Sequence, residues 1–395
     1  MGPKRPDGYT PVPMQTNELD HDTLRRLADL HFDEARVLSV YLDLDPSEFV
    51  TPAARSTEIT SVTDAAERHL RGLDDLTHDQ RTALREDIEQ VRGYLGGPEF
   101  NPQGAHAVAV FSSTQANFFE SLLLPRSVPS RFAVDDSPFV EPLADLVGAG
   151  RWGVLLVNRR KGRLFVGSPD RLTEVRSFGD EVTGVINESS GGSVQRDEQA
   201  VAQEAQDHFK LVSEALFKRS ERAPIDRLVV GSPKELAGDV EKALHPQLKQ
   251  RMAGRVDIEV EHSKPEDVLA AVSGLMEEDE QRREREVLDA LEAGVSTGGR
   301  GTAGLDETLA ALNEFRVETL VYEQGFSAPG VLCKGCGWVG PEVSECPVDG
   351  GELEHRDNIV EPAIEKTLEQ SAEVLVVRHH DDLGTRGGIG SVLRF

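Results

Sequence analysis

Cysteine is nearly missing from this chain: three in 395 residues, all between Cys333 and Cys346. That is too few, and too closely placed, for the disulfide framework of a secreted scaffold. Long apolar runs are missing too. No stretch of 18 or more apolar residues exists, so no transmembrane helix is expected. Residues 1–17 are polar and proline-rich and lack the apolar core of a signal peptide, which gives a cytoplasmic expectation. Positive charge is in deficit: 43 Lys and Arg stand against 70 Asp and Glu, a formal net charge of -27. Such a balance argues against broad adhesion to nucleic acid or to anionic membranes. It leaves room for a local basic patch. Histidines are scattered, and no Ser-His-Asp arrangement can be assigned.

What is present falls into three regions of a mixed α/β chain, read as domains at 17–148, 151–274 and 277–395. In the first, residues 37–44 read as a strand, and 105–111 and 118–124 as two more. Between them, 55–95 carries Ala65, Ala66, Leu70, Leu84, Ile88, Val91 and Leu95 at helical spacing. Tyr41, Asp43 and Asp45 alternate along the first strand, and the reading is a solvated strand edge. In the second region, 152–157 and 163–167 form a hairpin about a turn at 158–162, and 172–178 is a third strand. Residues 177–193 read as a mobile loop. Val201, Ala205, Phe209, Val212 and Leu216 then mark the apolar stripe of a long helix. A strand at 225–230, a helix at 234–244, a strand at 256–260 and a helix from Pro265 follow. In the third region, helices at 277–292, 306–315 and 361–372 alternate with strands at 317–322, 373–377 and 389–395. Residues 294–304 are glycine-rich and read as a flexible or partner-binding segment. Residues 331–354 interrupt the pattern as an insertion. There is no internal repeat.

Two features carry chemistry. The first is the turn Ser190-Gly191-Gly192-Ser193-Val194-Gln195-Arg196, which opens the long helix. Two glycines free the backbone for angles that other residues avoid. Gln195 can then be offered at a loop tip, where its carboxamide both donates and accepts. That suits holding a water or a carbonyl during ester hydrolysis in a site built by another molecule. Just before it, Arg151, Arg159, Arg160, Lys161 and Arg163 lie in a stretch without an acidic residue. The same residues fit a solvated hairpin tip, and Ser193 fits an ordinary helix cap.

The second is Cys333-Lys334-Gly335-Cys336 followed by Cys346-Pro347-Val348-Asp349-Gly350, which has the spacing of a zinc ribbon. Asp349 occupies the fourth position, with His355 a second candidate for it. A ribbon that keeps its shape without metal fits the same residues, and a bound zinc would be structural. His379, His380, Asp381 and Asp382 form a polar loop.

The ordered set of hairpin, glycine-glutamine turn, helix 196–218, the run Leu228-Val229-Val230-Gly231-Ser232-Pro233 and the ending Gly387-Gly388-Ile389-Gly390-Ser391-Val392-Leu393-Arg394-Phe395 resembles archaeal and eukaryotic class-1 peptide-chain release factors. The resemblance covers about 151–395 and identifies the chain as a bacterial member of that superfamily, which also holds Pelota-type rescue factors and Balon-type hibernation factors. It implies an N-terminal decoding-site domain, an RNase-H-like central domain, and a C-terminal domain related to kink-turn-binding ribosomal proteins, with a zinc-ribbon-like insertion. It implies ribosomal RNA and peptidyl-tRNA as partners, a translational GTPase on the C-terminal domain, no membrane, and a monomer. It makes Gln195, with Gly191 and Gly192, the catalytic candidates for peptidyl-tRNA hydrolysis in termination or rescue. Arg159, Arg160, Lys161, Arg163 and Arg196 become the RNA contacts. Two departures stand out. The family's contiguous Gly-Gly-Gln is replaced by a Gly-x-x-Gln spacing, similar to that of the tRNA hydrolase of eukaryotic ribosome quality control. No Asn-Ile-Lys-Ser stop-codon motif is found. The alternative expectation is therefore a non-catalytic factor occupying the ribosomal A site.

Overall fold

The computed structural model describes residues 14–16, 19, 21–32, 34–45, 52–73, 76–98, 100–102, 105–148, 150–179, 194–222 and 224–395. Side chains of 14–16, 21, 52, 145, 148 and 194–202 lie outside that description. Contacts group the chain into two units: Met1–Gly148 with Glu284–Phe395, and Ala149–Arg283.

The first unit begins with β1 (Met14–Thr16), α1 (His21–Ala28), β2 (Val37–Asp43), α2 (Pro52–Gly72), α3 (His78–Gly96), β3 (Ala107–Ser113), β4 (Phe118–Leu124), β5 (Arg131–Asp135) and α4 (Glu141–Gly148). Its five strands run in the order β1-β4-β3-β2-β5. Successive side chains of a strand alternate between faces. Leu38, Val40, Leu42, Val108 and Val110 meet α2 and α3 on one face, while Val37, Tyr41, Ala109 and Phe111 enter a core on the other. Strand β2 lies between β3 and β5, so the sequence reading of its residues as a solvated edge is corrected. Tyr41 is fully buried, edge-on to Phe111 and Phe139, and its hydroxyl donates to the Phe139 carbonyl at 2.5 Å. Helix α3 starts at a capping box in which the Thr77 hydroxyl accepts from Gln80 N–H and the Gln80 side chain accepts from Thr77 N–H.

The second unit holds β6 (Trp152–Val157), β7 (Gly162–Ser168), β8 (Arg171–Phe178), α5 (Val194–Arg222), β9 (Arg227–Gly231), α6 (Ala237–Ala243), α7 (Pro246–Gln250), β10 (Met252–Val256) and the start of α8 (Pro265–Ser296). The sheet order is β10-β9-β6-β7-β8. Strands β10, β9 and β6 are parallel; β7 and β8 return antiparallel. Leu155, Val157, Leu164, Leu228 and Val230 pack beneath Ala205, Phe209, Val212 and Leu216 of α5. Trp152, Val154, Phe165 and Val229 face Val268, Val272 and Met276 of α8. Helices thus cover both faces of a mixed sheet, as the strand–helix alternation implies. The last strand of this sheet lies at Met252–Val256, slightly earlier than the pattern at 256–260 indicates.

Helix α8 is continuous through 265–296, where the sequence reads as two helices and a boundary. Its second half lies in the first unit, whose remaining elements are β11 (Gly301–Ala303), α9 (Leu305–Asn313), β12 (Val317–Glu323), β13 (Gly330–Cys333), β14 (Val339–Gly340), β15 (Leu353–Arg356), α10 (Val360–Glu369), β16 (Glu373–Val377) and β17 (Ile389–Leu393). A four-stranded sheet, β11-β17-β12-β16, carries α9 and α10 on one face. That face joins the core of the N-terminal sheet, so Leu27, Phe111, Leu143, Leu312, Ile364 and Val376 share one apolar interior. On the other face Leu288 and Leu291 of α8 cover Val321 and Val377. Part of the glycine-rich 294–304 segment is edge strand β11, paired with β17. The insertion forms a separate small sheet, β14-β13-β15.

Candidate functional site

The basic turn is held by its own backbone chemistry. Asn158 Oδ1 accepts from Arg160 N–H at 2.9 Å and Lys161 N–H at 2.7 Å. Asn158 N–H closes the turn on Lys161 O at 2.9 Å. An Asx-type turn of this kind fixes the loop without using the cationic side chains. Arg159 and Arg160 are exposed, and Lys161 is half-buried. Gly162 sits against Val212 and Phe178, where an added Cβ would meet Val212 at 3.0 Å, so the turn lies close on α5.

His208 of α5 lies beneath the same turn, hydrogen-bonded to the Lys161 backbone, 4% exposed, with Nε2 unpartnered. Burial depresses its pKa, and the Lys161 bond only partly opposes this. The imidazole is therefore a neutral wedge rather than an added positive charge. It lies about three and a half turns beyond Gln195, roughly 20 Å along the helix axis. The basic turn and the start of α5 are close in sequence and well separated along the helix.

Arg163 has a different fate from its neighbours. Its Nε and Nη2 bind Glu174 at 3.0 and 2.5 Å, and its Nη1 donates to the carbonyls of Val260 and Ser263 at 3.1 and 2.8 Å. Its side chain is 9% exposed. The guanidinium ties β7 to β8 and to the segment after β10, and its charge is spent inside the protein. The Arg163 hydrogen bond and charge hold the Glu174 carboxyl below its ordinary range. Nothing in the sequence separates Arg163 from Arg159 and Arg160, except that it falls within a strand at an alternating position.

Of the segment 177–193 read as a mobile loop, Ser177 and Phe178 belong to β8, and 180–193, with Gly191 and Gly192, lie outside the described residues. Gln195 and Arg196 begin α5 as backbone, and their side chains lie outside the description.

The cysteine cluster is assembled as its spacing implies. Cys336 Sγ stands 3.5 Å from Cys346 Sγ, and Cys333 Sγ stands 3.6 Å from both Asp349 carboxylate oxygens. One ligand atom from each of the four residues falls within 4.8 Å of all the others. A tetrahedral zinc with Zn–S bonds of 2.3 Å needs sulfurs about 3.8 Å apart. The donor set and its spacing fit one such ion, with Cys333 and Cys346 buried and Cys336 and Asp349 exposed. His355 is not part of this group; it faces Glu342 at 3.2 Å and Asp357 at 3.5 Å. The Asp349 carboxylate is held below its ordinary range by the Gly351 N–H and the neighbouring thiols. The His379–His380 pair is bound to Glu284, with Nδ1 contacts of 2.8 and 3.3 Å, which fixes the loop after β16.

Residues 138–277 match the family model described as bacterial archaeo-eukaryotic release factor family 10. Solved structures that resemble the chain include the archaeal translation termination factor aRF1, at 17% identity over 95% of this chain and 98% of that one, with a TM-score of 0.26. Archaeoglobus fulgidus Pelota matches at 16% identity over 73% and 79%, with a TM-score of 0.31. S. cerevisiae Dom34 matches at 10% identity over 73% and 80%, with a TM-score of 0.38. The matched segment runs from just before α4 to the first turns of α8 and includes the sheet and helices that carry the basic hairpin and Gln195. Over that segment, about a third of the chain, the sequence is similar to this bacterial family of archaeo-eukaryotic release factors.

Proposed function

We propose that this protein is a ribosome-associated translation factor that hydrolyses the peptidyl-tRNA ester in termination or ribosome rescue. The family match over 138–277 carries the reading, because it covers both the basic hairpin and the helix that Gln195 opens. The carboxamide of Gln195 accepts a hydrogen bond from the attacking water while Gly191 and Gly192 let the chain approach the ester. Backbone N–H groups beside it stabilise the developing oxyanion. The ribosome and the tRNA sugar manage the proton, so no general base is required of this chain. Arg159, Arg160 and Lys161 engage RNA phosphates and set position rather than read sequence. Arg196 reaches the tRNA end.

The three regions 17–148, 151–274 and 277–395 serve as domains, with the cysteine cluster as a structural zinc centre in the last. A translational GTPase docks on the C-terminal region. The protein acts as a cytoplasmic monomer. Among the described residues no helix is long and apolar enough to cross a membrane.

The test is release of labelled peptide from ribosomes carrying peptidyl-tRNA, with co-sedimentation in parallel. Gln195→Ala should abolish release and keep binding; unchanged release would overturn the catalytic role. Two residues separate Gly192 from Gln195, which favours a second reading, a non-catalytic factor that occupies the A site. Binding without release by the wild type would establish that reading.

A further inference from the structure

Within the first unit lies a cleft of about 300 Å³ whose lining residues all belong to that unit. It is bounded by the end of β5, the loop after α1, strand β13 and helix α10. That volume is at the small end of ligand pockets. Its charges are unevenly matched. Arg356 is committed to Asp135 by a two-pronged contact, and Lys334 to Asp136 at 3.2 Å and Glu354 at 2.9 Å. Arg36 faces Asp136 at 3.8 Å. Every fixed cation of the cleft therefore already has a carboxylate. Glu361 and Glu365, one turn apart on α10, line the cavity without such a partner. Glu365 is 9% exposed, and a single hydrogen bond from Ser137 at 2.8 Å reaches one of its oxygens. Glu361 makes no hydrogen bond or ion pair with any described residue.

Arg356 acts on both carboxyl groups only at a distance, being paired with Asp135, and two largely buried carboxyl groups without a cation in direct contact are costly unless something completes them. A compact metal ion is a poor candidate. Among the described residues, the group close enough to surround one ion is the Cys333 cluster. We propose that this cleft is a binding site for a small organic cation, an amine or guanidinium compound, with Glu361 and Glu365 as its counter-charges.

The electrostatics agree. Burial, then the charges of Glu365 and Asp135, push Glu361 well above its ordinary pKa, and the Arg356 charge only partly opposes this. Burial raises Glu365 to about 7, against the Ser137 hydrogen bond and the charges of His31 and Arg356. Asp135 from β5 and Glu141 from α4 add negative charge at Glu361. Without a bound cation, Glu361 is held toward its acid form near neutrality and Glu365 is divided between acid and carboxylate. An arriving ammonium or guanidinium favours the ionised form, so binding releases protons and tightens as pH rises through about 7.

Calorimetric titration of the full chain with agmatine and with 1,4-diaminobutane, at 0.15 M salt, tests this. One saturable site is expected, tighter at pH 8 than at pH 6, with protons released to the buffer. The neutral 1,4-butanediol should not bind. Glu361→Gln and Glu365→Gln should each weaken the amines about tenfold or more. If Glu365→Gln fails to fold, Glu361→Gln still decides, since its side chain bonds to nothing described. Absence of saturable binding would overturn the proposal. So would binding unchanged in both variants, or many weak sites, which would reflect only the net negative charge.

Discussion

At the scale of single residues, three neighbours with the same charge have separate tasks. Arg159 and Arg160 point from an Asn158-locked turn into solvent, while Arg163 is consumed by Glu174 and two carbonyls. Arg163→Ala is expected to cost about 2–3 kcal/mol of stability, because charged hydrogen bonds are lost and their buried partners stranded. Urea unfolding measures it. Replacing Arg159, Arg160 and Lys161 together by Ala should leave stability unchanged and weaken ribosome binding. The slope of log affinity against log salt should fall by up to about three, one for each phosphate contact removed. A slope equal to that of the wild type would remove the hairpin from the RNA interface. Since Arg163 depresses the Glu174 pKa, their pairing contributes stability above the ordinary glutamate range. That contribution is lost as pH falls through the lowered value, so the Arg163→Ala penalty should shrink in acid.

At the scale of elements, helix ends and helix continuity make the sharpest statements. The Thr77–Gln80 capping box satisfies N–H groups that the first turn of α3 would otherwise leave open. Thr77→Ala should cost about 1 kcal/mol. Gly274 lies exposed inside α8, with open space where a Cβ would stand. Gly274→Ala should stabilise by roughly 0.5–1 kcal/mol through the entropy of the unfolded chain. Thermal unfolding of the pair of variants reads both effects, and a destabilising Gly274→Ala would mean that α8 bends at that point.

At the scale of the whole molecule, two linked equilibria dominate the expectations. The Cys333, Cys336, Cys346 and Asp349 cluster should take up one equivalent of zinc, measurable by elemental analysis and lost in Cys346→Ser. A strong chelator should lower the melting temperature, because metal binding to a site absent from the unfolded chain is folding free energy. The raised Glu365 sets a pH trend. Its folded state binds a proton that the unfolded chain has already released, so its contribution to stability declines as pH rises from about 4.5 to about 7. Glu365→Gln should flatten denaturant-derived stability between pH 5 and pH 8 relative to the wild type.

The sequence by itself determined the hairpin strands and the long helix of the second region, and the cysteine grouping. The apolar run at 152–157, the helical stripe from Ala205 to Leu216, and CxxC spacing are local patterns, set by backbone periodicity and by the short reach between knuckle ligands. Tertiary structure alone decided what depends on partners remote in the chain. Tyr41 reads as an edge residue until β5 pairs beside β2 and Phe139 covers it. Arg163 looks free until Glu174 and the carbonyls of Val260 and Ser263 arrive, and a proposed domain limit falls within one unbroken α8. Glu361 and Glu365 are ordinary helix residues in sequence. Only packing of α10 against the end of β5 and the loop after α1 makes them lining groups of a cleft. Burial and charge pairing are sums over such distant neighbours, and no local window of sequence contains them.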